Sequence, residues 1–214
     1  MAEFYALVVE AVIIFLEAAF VFSLHRLFLP SCYDKSHMRF TNITAHNAAG
    51  ALLDKPVSEE HVRRAVFDIL EANPLCSMST VTPDGRAHIH TAYVCYSEEL
   101  EFYFLSHPRS THCQNVAANS SIAMAVFSSK QQWLGPDRGV QLFGTAIQAE
   151  NTVASRAEEL YAKRFFTYRN WRSAGLGELE SEYRFYRFVA LRLKVLDEVS
   201  LGDAVFVSAV VDRK

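Results

Sequence analysis

The feature that most constrains the fold is a succession of short β-prone segments with little chain between them. Leu75 to Thr82 is β-prone, and the turn signal Pro83-Asp84-Gly85-Arg86 follows it directly. Ala87 to Tyr96 then alternates in polarity, and further strands are expected at 100–106, 122–127, 139–148, 185–195 and 204–211. Gly144 lies inside one of these segments and indicates a bulge or a close approach. Because neighbouring strands pair as antiparallel meanders, the pattern predicts a mainly β fold that closes or half-closes into a barrel.

Three helices are predicted beside these strands. After Ser58, a favourable N-cap residue, apolar residues recur at helical spacing up to Leu70, so an amphipathic helix should end near Asn73. Another helix is expected over roughly 151–165. A short helix should begin after Ser110, and its inward-facing residues should be Cys113, Val116 and Ala117. The fold class is therefore α+β, with helices flanking a dominant antiparallel sheet.

Residues 4–29 form a nearly continuous apolar stretch that Glu10 and Glu17 interrupt. The stretch is long enough to cross a bilayer, but each glutamate near the centre of a span would cost about 2–3 kcal/mol. Three interpretations stay open: a helix that packs on a partner or a membrane surface, a marginal membrane anchor, or an extension upstream of a functional start at Met38. We divide the chain into an apolar helical segment (1–37), a linker (38–57) and one globular domain (58–214).

Composition excludes several classes of protein. Lys and Arg number 21 against 24 Asp and Glu, and a formal charge of −3 argues against a general nucleic-acid binder. With 50% apolar residues, the chain is not intrinsically disordered. The four cysteines contain no C-x-x-C pair, which excludes a zinc ribbon or a thioredoxin motif and fits reduced thiols in the cytoplasm.

An ordered set of motifs runs from Leu75 to Gln148. P-D-G-R joins two strands, then come E-L-E-F-Y-F-L-S, H-P-R-S-T-H before the short helix, I-A-M-A-V-F, and R-G-V-Q-L-F-G-T-A. The set resembles the FMN-binding split-barrel superfamily of the pyridoxamine 5′-phosphate oxidase type, and Y-A-K-R-F further on looks like a small bacterial branch of it. The resemblance implies a six-stranded antiparallel split β-barrel of Greek-key type, which forms a homodimer with FMN in two equivalent clefts between the subunits.

The resemblance also implies which residues hold the cofactor. Hydroxyl and basic side chains around the third strand and the next helix should bind the flavin phosphate, and they correspond to Ser106, Ser110, Thr111 and His112. The matching positions on the second strand and on the strand that borders the flavin are His90, Thr91, Arg138 and Gln141. Where the oxidases proper carry Ser-Arg-Lys, this chain has Ser110-Thr111-His112. Two fixed positive charges are therefore replaced, and Arg109 can supply one from a shifted position.

Two simpler interpretations of these residues stay open. A helix N-terminus suits a phosphate, but Ser110 could merely cap the helix while Arg109 and His112 are solvated. His88 and His90 share one face of a strand, yet a metal site would need a third ligand, and none is adjacent in sequence. No residue pattern points to a catalytic acid or base.

Three hypotheses about function follow. The first is an FMN-dependent oxidoreductase that acts with a small-molecule substrate or electron donor. The second is a non-catalytic flavin- or haem-binding protein, in which a histidine would bind the haem iron. The third is an empty split barrel whose phosphate site has been lost with the Arg-Lys pair. A deazaflavin could replace FMN in the first two.

Overall fold

The computed structural model describes residues 38–173 and 182–213 of the 214-residue chain. The predicted apolar helical segment, including residues 4–29, lies outside the described residues. Among the residues that are described, no helix has both the length and the hydrophobicity that crossing a lipid bilayer requires.

Strands dominate the described residues, and four helices lie between them. The strands are β1 (Met38–His46), β2 (Leu75–Val81), β3 (Ala87–Tyr93), β4 (Cys95–Tyr96), β5 (Glu101–Ser106), β6 (Ser121–Phe127), β7 (Arg138–Gln148), β8 (Arg184–Asp197) and β9 (Phe206–Arg213). The helices are α1 (Glu59–Ala72), α2 (Thr111–Ala118), α3 (Asn151–Arg164) and α4 (Phe166–Ser173). The predicted mainly β, α+β class is confirmed.

All strands join one antiparallel sheet in the order β1-β9-β8-β7-β6-β2-β3, with β5 attached to β8 and β4 attached to β5. Only Val94 separates β3 from β4. The chain therefore passes directly from β3, at one end of the strand order, to β4, which pairs with β5 and through β5 is attached to β8. Within the described residues the two end strands, β1 and β3, do not pair with each other, and the sheet is therefore not closed.

The predicted helices are confirmed, with one correction. The Ser58 hydroxyl accepts a hydrogen bond from the His61 amide at 3.2 Å and caps α1, whose apolar face is buried. In α2, Cys113 and Val116 are buried as expected. Ala117 is exposed, and Asn115 is buried in its place.

Two elements are not predicted by the sequence. Residues 38–57, interpreted as a linker, contain β1, which pairs with β9 from Met38 to His46. Its alternation is broken at Asn42, which has φ of 50°, where the register shifts between Thr41 and Thr44. The second element is α4, an eight-residue helix that begins two residues after the end of α3 and packs Tyr168 and Trp171 against the second apolar cluster.

The main hydrophobic core fills the space between the inner face of the sheet and α1. Its largest fully buried side chains include Phe102, Phe104 and Phe188. A second cluster lies under α3 and α4, where Tyr103 and Tyr161 pack around Cys95. The described cysteines, Cys76, Cys95 and Cys113, are free thiols and are buried.

Gly144 is the point where β7 and β8 approach each other too closely for a side chain. The register shifts between Phe143 and Gly144, and a Cβ on Gly144 would overlap with the carbonyl oxygen of Val189. The predicted bulge and the predicted close approach are therefore both present at this residue.

We expect Gly144→Ala to lower the free energy of unfolding by about 1–3 kcal/mol, because the new methyl group meets backbone that can move only with the sheet. Urea titration should show a lower midpoint with an unchanged slope. Gly139→Ala is the matched control, since its Cβ would lie 3.3 Å from the Cβ of Phe127 and meet no closer backbone. An equal loss in both variants would contradict the close approach at Gly144.

Candidate functional site

Four of the predicted cofactor-binding residues meet where β3, the end of β5 and the start of α2 come together. The Nε2 atom of His112 lies 2.7 Å from the Ser106 hydroxyl and 3.2 Å from the Ser110 hydroxyl. The two hydroxyl oxygens are 3.4 Å apart. The ring of His90 stacks on that of His112, with centroids 3.6 Å apart. We call His90, Ser106, Ser110 and His112 the histidine–serine cluster.

Ser110 occupies the N-cap position of α2 but does not use its side chain as a cap. Its backbone is extended, with φ of −66° and ψ of 149°, and its hydroxyl makes no hydrogen bond to the first turn of the helix. The hydroxyl turns instead toward Ser106 and His112. The capping interpretation of Ser110 is therefore wrong for its side chain, and the first-turn N–H groups of α2 keep their capacity to donate.

The two stacked histidines are held neutral. Their rings lie at 12° to each other, and both nitrogens of His90 are buried with no hydrogen-bond partner among the described residues. Burial, and then the nearby His112 and His88, lower the pKa of His90 from 6.5 to about 4. Burial, and then His88, also lower the pKa of His112. At pH 7 the cluster therefore carries no fixed positive charge of its own.

A buried polar pair fixes α2 against the sheet. The Asn115 side-chain amide donates to the Thr80 hydroxyl at 3.0 Å, and both residues are almost completely buried. Thr80 belongs to β2, whose neighbour β3 carries His90. The bond therefore holds α2, which carries His112, against β2 and its neighbour β3, which carries His90. Removing either side chain of the bond would leave a buried polar group without a partner.

Arg109 and Thr111 lie next to the cluster in sequence but on its exposed side. The Arg109 side chain is 79% exposed, and its guanidinium is 4.0 Å from the carboxylate of Glu182. The same carboxylate lies 3.1 Å from the ring of His107. Thr111, in the first turn of α2, is exposed. Neither residue contacts the stacked histidines within the described contacts.

Thr91 and Gln141 lie on the opposite face of the sheet from His90. Thr91 follows His90 on β3, so its side chain points to the other face, where it is exposed. It pairs in register with Ser77 on β2. Ser77 pairs with Ala125, which in turn pairs with Gln141. Thr91, Ser77, Ala125 and Gln141 therefore form one row across the outer face of the sheet. In that row the two small side chains, Ser77 and Ala125, lie between Thr91 and Gln141.

Arg138 is engaged in an internal ion pair. Its Nε and Nη2 atoms each donate to a carboxylate oxygen of Asp197 at 2.9 Å, and Asp197 is completely buried. Such a bidentate pair is structural, because removing the arginine would leave an uncompensated buried charge. The structure thus places Arg138 apart from the histidine–serine cluster.

Two half-open cavities of about 300 and 340 Å³ lie on the outer face. Their linings include Gln141, Lys194 and Phe206 in the first, and Ser79, Phe143 and Arg192 in the second. The Lys194 ammonium sits 4.3 Å from the centroid of Phe206. Neither Arg192 nor Lys194 was predicted from the sequence as a site residue. Their alternation with the buried Leu193 and Val195 along β8 does place both side chains on the outer face of the sheet.

Within the described residues, no group of three His, Cys, Asp or Glu side chains is placed to hold a metal ion. His88 and His90 have ring centroids 6.4 Å apart and do not gain a third ligand in that part of the chain. What the cluster offers instead is a set of hydroxyl and imidazole groups beside an uncapped helix N-terminus, which is suited to an anion.

Comparison with known proteins gives one family and several similar structures. The family model described as pyridoxamine 5′-phosphate oxidase matches residues 62–196. No curated protein matches the chain. A conserved hypothetical protein, Rv2991, from Mycobacterium tuberculosis is 18% identical with a TM-score of 0.55, covering 70% of this chain and 91% of that one.

Two further structures extend the comparison. A protein related to general stress protein 26, from Clostridium acetobutylicum, is 11% identical with a TM-score of 0.52, covering 73% of this chain and 96% of that one. A heme binding protein from Mycobacterium smegmatis is 14% identical with a TM-score of 0.52, covering 67% and 55% respectively. At these identities the likeness concerns the fold alone.

We expect the free energy of unfolding to fall as the pH drops from about 6.5 to about 4. In that window the unfolded chain protonates His90, whereas the folded protein keeps it neutral, so protons favour unfolding. His90→Gln should reduce the fall, and NMR titration should place the ring of His90 near pH 4. His61→Gln, on the exposed side of α1, is the control and should leave the fall unchanged. An ordinary titration midpoint for His90 would contradict its burial.

Proposed function

The chain belongs to the pyridoxamine 5′-phosphate oxidase family, and on that premise we propose that it is an FMN-dependent oxidoreductase that works as a homodimer on a small-molecule substrate or electron donor. The observation that carries the proposal is the convergence of Ser106, Ser110 and His112 within 2.7–3.4 Å beside the start of α2. This is where the resemblance implies that the flavin phosphate binds.

The chemistry of the cluster fits a phosphate group. A phosphate monoester is close to a dianion at neutral pH and needs several converging donors. Two hydroxyl groups and the free first-turn N–H groups of α2 can donate to its oxygens, and Ser110 is available because it does not cap the helix. Thr111 and Arg109 lie at the exposed rim, where they can contact a phosphate from the solvent side. His90 completes the cluster from β3 through its contact with His112.

When bound, FMN would supply the hydride or electron transfer. This chain's residues would bind the phosphate, exclude water from the buried side of the cluster through the stacked histidines, and keep α2 in position through Asn115. We assign no residue as a catalytic acid or base.

The barrel and the dimer complete the proposal. We infer that β2, the β3–β4 pair, β5, β8, β7 and β6 form the six-stranded split barrel, with Val94 at the split. A second copy would pack on the outer face, where small side chains at Ser77 and Ala125 permit close approach. Exposed apolar side chains on the strands of that face would add contact area; they include Leu75, Ile89, Tyr93 and Phe127. Thr91, Gln141 and the end of β7 near Arg138 would then lie at the interface.

We place the protein in the reducing cytoplasm, because the described cysteines are free and buried. Contact with a membrane through residues 4–29 stays a prediction from the sequence. Nucleic acid is not among the proposed partners, given the formal charge of −3.

A second candidate function is a non-catalytic flavin- or haem-binding protein. One observation favours it: the positions that carry fixed charges in the oxidases proper hold a hydroxyl and a neutral imidazole here. A similar structure is described as a heme binding protein. Turnover separates the two candidates, since a binder holds its ligand without consuming an electron donor. A deazaflavin would give a related but distinct absorption spectrum.

We expect the purified full-length protein to show the two-banded absorption of a flavin, with FMN identified by mass after heat release. Added FMN at 100 times its dissociation constant should stabilise the fold by about 2.7 kcal/mol. The double variant Ser106→Ala/Ser110→Ala should bind FMN at least about tenfold more weakly, because hydrogen bonds to a charged group are lost.

Ser155→Ala, at an exposed position of α3, is the matched control and should bind FMN normally. A haem-type Soret band would favour the second candidate over the first. A colourless protein that gains no thermal stability from FMN would overturn both flavin functions and leave the empty barrel.

A further inference from the structure

We propose that a phosphate ester binding at the histidine–serine cluster brings one proton with it, which the His90–His112 pair takes up, so that affinity falls as the pH rises above neutrality. This inference rests on the proposed function, because it assumes that the cluster receives the phosphate group of FMN. It adds to that function that the site becomes positively charged only when the ligand is bound.

The stacking geometry limits the pair to a single proton. The two rings lie face to face, with centroids 3.6 Å apart and planes 12° from parallel. Two neutral imidazoles tolerate this arrangement, whereas two imidazolium ions at that distance would repel each other strongly. The pair can therefore hold no charge or one positive charge.

Hydrogen bonding assigns the proton to His112. Its Nε2 atom lies within 3.2 Å of both serine hydroxyls, so in the empty site it can accept a hydroxyl proton. A bound phosphate needs those hydroxyl protons for its own oxygens. The lone pair of Nε2 would then face only oxygen lone pairs, and protonation turns the same atom into a donor. No bond other than N–H forms, and the proton comes from solvent.

Among the described residues, the carboxylate that lies near the pair contacts other side chains. The titratable and charged groups near the pair from the neighbouring elements are His88 on β3, Cys113 on α2, Arg184 and Tyr186 on β8, and His107, Arg109 and Glu182 at the rim. Among the described residues, no carboxylate makes an ion pair with either stacked ring, and Glu182 contacts His107 and Arg109 instead. Within the described part of the chain, therefore, no carboxylate is paired with the stacked rings, and a bound phosphate would compensate an imidazolium there.

Burial and phosphate binding act on the pair in opposite directions. In the empty protein, burial lowers the pKa of both rings and keeps them neutral. A dianion within a few ångströms favours the charged form and raises the pKa of the ring beside it. Because the coupling between proton and ligand is reciprocal, a ligand that promotes protonation must bind more weakly as protons become scarce.

The test is calorimetry of FMN binding to the flavin-free, full-length protein at pH 7.0, in several buffers that differ in ionisation enthalpy. The dependence of the heat on the buffer gives the number of protons exchanged. FMN alone would release only about 0.1 proton at this pH, because the second pKa of a phosphate monoester is about 6. We expect a net uptake of roughly 0.3–1 proton and an affinity that falls up to about tenfold per pH unit between pH 7 and 8.5.

Variants assign the effect to the pair. His112→Gln, which keeps a side-chain donor but cannot change its charge, should abolish the uptake and flatten the pH dependence. His61→Gln, exposed on α1, should keep both. If His112→Gln does not fold, the wild-type proton count still decides, because it requires no variant. Binding of riboflavin as tight as that of FMN would show that the cluster does not hold the phosphate, and would overturn the inference.

Two results distinguish this inference from the function on which it rests. If FMN binds with the same affinity from pH 7 to 8.5 and without proton uptake, the inference is wrong and the flavin function stands. A shift of the His112 tautomer alone would give that result. If FMN does not bind at any of these pH values to protein whose circular dichroism shows it folded, the proposed function itself fails.

Discussion

Backbone hydrogen bonding along β8 joins the two parts of the sheet, the β5 branch and the β7-β6-β2-β3 run, between which the candidate site lies. This strand pairs with β5 over its first half, with β9 over its second half, and with β7 along nearly its whole length. Ser106 is the register partner of Arg184, so the end of β5 that carries the serine is held by the start of β8. β7 and β8 can approach each other this closely only because Gly144 has no side chain and so leaves room for the carbonyl oxygen of Val189. A side chain at that one position would strain the sheet that supports both faces of the molecule.

The start of α2 departs from the local rules that stabilise helices, and the departure falls at the site. A serine N-cap normally contributes about 1 kcal/mol by bonding to the first turn. Ser110 gives up that bond and turns its hydroxyl toward His112, while the buried Asn115–Thr80 bond fixes the helix from its other side. Local rules that are broken while the surrounding packing remains well satisfied are typical of functional positions.

Much of the fold could be predicted because its signals are local. Alternating polarity revealed the strands around the Pro83–Arg86 turn, and helical spacing revealed α1. The features that were missed depend on partners distant in sequence. Asn115 is buried because it meets Thr80, and the guanidinium of Arg138 is bonded to the buried Asp197. The resemblance brought together His90, Ser106, Ser110 and His112, but nothing in the spacing of 90 and 112 indicated that the two rings stack.

Under the proposed phosphate binding, an imidazole at position 112 would resolve a conflict between folding and binding. A fixed cation at the half-buried position of His112 would need a compensating carboxylate in the empty site, and no carboxylate pairs with His90 or His112 among the described residues. An imidazole can instead be neutral while the site is empty and charged when an anion arrives. The folded protein would then avoid an uncompensated charge in its empty state, and the positive charge of the imidazolium would form only when an anionic ligand binds. On that proposal, the exchange of Arg-Lys for Thr111-His112 changes the charge of the phosphate site and does not abolish the site.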